Sequence, residues 1–182
     1  MLDSRNEPGW TDMSGATQPN NDGFGSDSHS RDRVFEIVDY QATQPRNNTN
    51  DANPQPIPHS PNRLTLATLI VTIPNSFHKR NNSVELIATV DVEGITETSQ
   101  LKFRIFRNGS QIFEAQAGVE SDPSSELFYL ETFQAIDTNV RAGAHTYMLT
   151  VENATPCTEA AVVGPISFSA LAIERKSDKS DY

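Results

Sequence analysis

An all-β fold, an antiparallel β-sandwich or jelly roll, is what this sequence predicts, and three observations predict it. Two aromatic, β-rich runs between Phe103 and Phe113 meet at Asn108-Gly109, the strongest short hairpin signal a sequence carries. Further runs of strand character recur along the chain, each closed by Gly, Pro or Asn, with no amphipathic helical stretch among them. Within most of those runs apolar and polar residues alternate with a period of two, as in strands that turn one face to a core.

The elements follow in chain order. Residues 1–62 are rich in Asn, Asp, Ser, Pro, Gln and Gly and poor in aliphatics. Such a composition buries too little apolar surface to offset the entropy of ordering, so this stretch is expected to be a mostly disordered arm. Its one apolar island runs from Val34 to Tyr40 and presents Val34, Phe35, Ile37, Val38 and Tyr40. A segment of that β-propensity needs a cover. It can fold as an added strand onto its own domain or add to the sheet edge of a neighbour, and the second makes those five side chains the candidate assembly element. A proline-rich linker over 53–61 follows, so a protease-resistant core is expected to begin near Arg63.

The sandwich itself is expected over residues 63–175, with a disordered tail at 176–182. Leu64 to Ile73 ends at Pro74-Asn75, and Val84 to Val92 ends before Gly94. Leu101 to Arg107 and Ser110 to Ala117 form the hairpin, in which Asn108 and Gly109 are to supply the positive-φ turn. Its register stays open: a two-residue turn pairs Phe106 with Gln111, whereas a three-residue loop pairs Phe106 with Ile112 and Arg104 with Glu114. Leu127 to Ala135, His145 to Glu152 and Ile166 to Ile173 complete the set, each preceded by a Pro- or Gly-containing turn. Alternation puts Leu86, Ala88, Val90 and Val92 inside on one strand, and Tyr147, Leu149 and Val151 on another. The last strand is apolar on both faces, so it is either central in its sheet or covered by a neighbouring subunit.

The net charge of −10 argues against nucleic acid and anionic membrane, both of which need clustered Lys and Arg. Met1 to Trp10 lacks a basic start and an apolar core, so no conventional export signal is predicted, and no apolar run is long enough to cross a bilayer as a helix. Cys157 is the only cysteine, which excludes an intramolecular disulfide. It lies in a polar loop, where an inert thiol and a disulfide to another molecule are the two readings.

Chemistry-bearing patterns are absent. The sequence has no glycine-rich phosphate loop, no Gly-x-Ser-x-Gly elbow and no metal-binding His or Cys spacing. Its histidines, His29, His59, His78 and His145, are isolated in sequence, and Glu126, Glu131 and Asp137 are expected to be solvated carboxylates. No enzyme, no cofactor and no metal are predicted. Asn47, Asn81, Asn108 and Asn153 begin Asn-x-Ser/Thr sequons, expected to be unmodified.

Three segments carry a resemblance: Phe103 to Phe113, then Ala-Gly-Ala-His-Thr-Tyr-Met-Leu-Thr-Val from Ala142, then Gly-Pro-Ile-Ser-Phe-Ser-Ala-Leu-Ala-Ile-Glu from Gly164. Together they resemble the β-domains of spore-surface proteins of endospore-forming bacteria, including the jelly-roll heads of collagen-like exosporium glycoproteins, over roughly residues 64–174. No Gly-x-y stalk accompanies them here. The resemblance implies a non-enzymatic structural subunit at the spore surface, made in the cytosol, with copies of itself or other spore-surface proteins as partners. Alternatives are a viral or phage capsid or fibre protein, which also combines jelly rolls with N-terminal arms, and a carbohydrate-binding sandwich in which Tyr129 or Phe133 stacks on sugars.

Overall fold

The computed structural model describes residues 35–75, 81–122, 124 and 126–175. Their strands are β1 (Phe35–Arg46), β2 (Gln55–Pro56), β3 (Leu64–Ile73), β4 (Asn82–Thr96), β5 (Thr98–Arg107), β6 (Ser110–Glu120), β7 (Tyr129–Thr138), β8 (Gly143–Asn153) and β9 (Glu159–Arg175). The eight long strands form two sheets. Sheet I runs β1-β9-β4-β7, with β2 also paired to β9, and sheet II runs β3-β8-β5-β6.

That order is a jelly roll. Strands pair from the outside of the sequence inward, β1 with β9, β3 with β8, β4 with β7 and β5 with β6, all antiparallel. The chain is thus one long folded-back ribbon, and rolling it adds the β4–β9 and β5–β8 ladders that complete the two sheets. Side chains alternating along each strand fill the space between the sheets. Leu86, Ala88, Val90 and Val92 are buried from sheet I, and Tyr147, Leu149 and Val151 from sheet II, on the faces their alternation assigned. Phe103 and Phe168 are the other large rings fully inside. Phe133 crosses from β7 to sheet II, 5.4 Å from the Phe103 ring and stacked 5.5 Å from Phe113.

The hairpin combines both registers that the sequence left open. Asn108 and Gly109 have φ of 48° and 82°, the positive values of a two-residue turn, and Phe106 pairs with Gln111. A bulge then absorbs Ile112, so that Ile105 pairs with Phe113 and Arg104 with Glu114. No atom lies within 4 Å of a Cβ built on Gly109, so a side chain there meets no neighbour and only the backbone objects. Gly109→Val is expected to cost about 1 kcal/mol or more, read as a lower midpoint in urea, while Gly109→Asn costs less. Equal midpoints for the two variants would show that the turn relaxes.

The expected domain boundary at Arg63 requires correction. Phe35–Arg46 is a full edge strand of sheet I, paired with β9 of the same chain from Phe35↔Arg175 to Arg46↔Ile166. Residues 47–63 are not a free linker either. Gln55 and Pro56 pair with Val162 and Ala161, Ile57 is buried in the core, and Ser60 N–H donates to Asn153 O. Backbone hydrogen bonds hold this polar stretch, and composition does not reveal them. Gly164, at φ 78°, lets the stretch pass close by, since a Cβ there would lie 2.9 Å from Asn48 O. The expected disorder of residues 1–34 and of the 176–182 tail, and the position of Val34, lie outside the described residues.

Candidate functional site

The polar groups with the closest geometry fall into three clusters, and each ties structural elements together. The first bridges the two sheets at one rim. Alternation along β5 puts Arg107 on the inner face with Phe103 and Ile105, opposite Tyr147. Across the sandwich, Asp137 near the end of β7 accepts hydrogen bonds from Arg107 Nη1 to both carboxylate oxygens at 2.7 Å, and from the Tyr147 hydroxyl at 2.8 Å. Burial first, then the bond to Asp137, pushes the Tyr147 hydroxyl well above the ordinary range. Asp137 was expected to be solvated and is instead buried, because the Tyr147 and Arg107 donors replace water.

The second cluster sits on the outer face of sheet II, under the segment 57–63. Arg104 pairs with Glu152 at 2.5 Å and Glu114 at 2.7 Å, and Ser60 Oγ donates to Glu152 at 2.5 Å. Arg63 lies 4.8 Å over the Phe106 ring, which closes the same strap. Burial raises the Glu152 carboxyl, but the bonds from Arg104 and Ser60 together outweigh it and leave the group below its ordinary 4.5.

Asn153 is the hub of the third cluster. Its Nδ2 donates to Thr158 O and Oγ1, both at 3.0 Å, its Oδ1 accepts from Thr155 N at 3.0 Å, and its backbone bonds Pro58 and Ser60. The amide of this sequon is fully spent inside the protein. His59 Nε2 is 2.8 Å from Thr158 O, and Cys157, exposed with φ 66°, rims an adjoining hollow of about 200 Å³. His145 is likewise engaged, with Arg141 O and Asn108. Among the described residues no group of three His, Cys, Asp or Glu side chains converges on a metal position. His78 lies outside those residues.

What remains unspent is the outer face of sheet I. Register and exposure define it row by row. Ile37 pairs with Ile173, which faces Ser83 and then Thr138; in the next row come Tyr40, Leu171, Glu85 and Ile136; in the third, Ala42, Ser169, Ile87 and Gln134. Ile37, Tyr40 and Ile136 are 69%, 61% and 65% exposed, and Phe35 stands beside them at the end of the sheet. Beyond the third row the 47–53 loop covers the β4 side of the face, with Thr49 Oγ1 donating to Asp91 Oδ2 at 2.9 Å, while Leu130 on β7 stays exposed. Burial raises the carboxyls of Asp91 and Glu93, so both oppose the fold when ionised, the reverse of Glu152. At the opposite end a groove of about 350 Å³ opens between Phe35, Asn81, Ser83, Thr138 and Arg175.

The candidate assembly residues divide between two surfaces. Phe35, Ile37 and Tyr40 point outward, whereas Val38 occupies a bulge and packs against the core. The bulge also turns Asp39 inward, where its Oδ2 accepts Thr72 N on β3 at 2.7 Å and closes the gap between the sheets. The island is therefore an added strand of its own domain, the first of the two dockings its sequence allows, paired with β9 along one side and leaving its other side as the open edge of sheet I. Tyr129 and Phe133, proposed above as sugar-stacking rings, pack against the core.

Fold and surfaces define the class: an all-β jelly-roll domain with one bare apolar sheet face. No helix of the described residues is long and apolar enough to cross a membrane. No protein-family model matches the sequence, and no curated protein matches it. Among solved structures the chain is similar to dimeric latent PorU from Porphyromonas gingivalis, at TM-score 0.43 and 9% identity, over 76% of this chain and 13% of that one. It is similar also to a chain from the infectious bursal disease virus Gt strain, at TM-score 0.38 and 8% identity, over 80% of this chain and 38% of that one. The chain spans less than two fifths of either.

Proposed function

We propose that this protein is a non-enzymatic structural subunit of a spore-surface layer or appendage, assembling with other subunits through its jelly roll. The observation that carries the reading is the bare outer face of sheet I, where Ile37, Tyr40, Ile87 and Ile136 stand in solvent on adjoining rows. A contiguous apolar patch on a rigid sheet is a surface for another macromolecule. The polar clusters support the same reading, because their hydrogen bonds are spent on tying the sheets, the 57–63 strap and the β8–β9 turn together. The resemblance of residues 64–174 to spore-surface β-domains supplies the location. In such a layer the exposed thiol of Cys157 is accessible to the Cys157 of a neighbouring copy.

Purified full-length protein is expected to form regular oligomers or larger particles, seen by mass photometry and negative-stain microscopy over a concentration series. A strict monomer throughout the series, with or without oxidant, overturns the reading.

A further inference from the structure

The outer face of sheet I is unusual for this chain in what it lacks. The protein carries a net charge of −10, yet in the three uncovered rows the one charged side chain is Glu85, and that carboxylate is already hydrogen-bonded by Gln134 Nε2. Around it lie isoleucines, a leucine, a tyrosine and small hydroxyl or methyl groups.

Resting on the structural-subunit reading, we infer that this face packs against the same face of a second copy of the chain. Charge selects that occupant. Two acidic proteins of the same sequence repel each other over most orientations, and a face nearly free of charge is where they can meet without stranding carboxylates. The face is also self-matched, since apolar rows meet apolar rows when it is doubled, as a two-fold interface requires. Three rows two residues apart span about 20 Å along strands about 4.8 Å apart, so the four strands offer a plane of roughly 400 Å². That is below the ~800 Å² per partner of a standard interface, so the pairing is a weak, concentration-dependent one. Packed at about 10 Å, two such faces make a four-layered particle in which Tyr40, Ile87 and Ile136 leave water. The 47–53 loop stands at one end of the face and limits how far the copies can slide along the strands.

The test is sedimentation velocity on the full chain, wild type against Ile37→Asp, Ile136→Asp and the control Ile70→Asp, the last on the outer side of β3 in sheet II and equally exposed. Self-association is expected in the wild type and in Ile70→Asp, and is expected to weaken at least ~10-fold in Ile37→Asp and in Ile136→Asp. Circular dichroism and melting curves establish that both face variants stay folded; Tyr40→Ser serves as a milder replacement for either that does not. If the face variants associate as well as the wild type, the inference falls while the subunit reading stands. If Ile70→Asp dissociates and the face variants do not, the interface lies on sheet II and the inference falls. A wild type that stays monomeric, whether or not it binds neutral phosphatidylcholine vesicles, overturns both.

Discussion

Asp137→Ala is expected to lower the stability of the domain by about 3 kcal/mol, which for a domain of this size is a fall of roughly 10 °C in melting temperature. The substitution removes the acceptor of a fully buried tyrosine hydroxyl, 2.8 Å away, and the counter-charge of Arg107. The first loss is the larger. Arg107 keeps about a third of its side chain in solvent and can be rehydrated, whereas the Tyr147 hydroxyl is buried and loses the acceptor of its proton. Asp137→Asn keeps an acceptor and should cost roughly half as much. Adding Tyr147→Phe to Asp137→Ala should recover part of the loss, because the stranded hydroxyl disappears. Urea unfolding of the four proteins checks this. If Asn proves as damaging as Ala, the charge and not the hydrogen bond holds the rim.

Arg104→Met is expected to cost about 3 kcal/mol at pH 7, because it strands the buried carboxylate of Glu152. Glu114, more exposed, adds little to that figure. The pH dependence follows from the direction of one shift. In the native protein Glu152 lies below its ordinary 4.5, so its contribution is fully present above that value and is lost as pH falls through the lower folded value. In the variant, burial acts without Arg104 and favours the protonated acid, so the penalty should shrink as pH drops toward 4. Asp91 and Glu93 are shifted up by burial and relieve the fold as they protonate, which makes the acid limb of the wild type shallower than Glu152 alone would. Unfolding of wild type, Arg104→Met and Arg104→Met/Glu152→Gln at pH 7 and pH 4 separates these terms. An Arg104→Met penalty that is the same at both values would mean that Glu152 is hydrated once Arg104 is gone.

Where the strands lie and which sides of them are inside were legible in the sequence, because both are local. A period of two needs only neighbours along the chain, as at Leu86 to Val92, and Asn108-Gly109 declares its turn through backbone preference alone. The one bare apolar face was half legible. The last strand showed apolar residues on both sides, and only the observed order β1-β9-β4 tells that it is central, with Leu171 and Ile173 turned outward. The fate of residues 35–63 was decided by tertiary structure. Phe35 meets Arg175 across almost the whole described chain, and the polar strap is held by backbone bonds to Val163, Ala160 and Asn153 rather than by apolar side chains. Asp137 shows the same limit, since its donors come from β5 and β8 on the opposite sheet. Alternation and turn chemistry are properties of a few adjacent residues. The partner of an edge strand, or of a buried carboxylate, depends on how distant ribbons are rolled against one another, and that is set by the packing of the whole core.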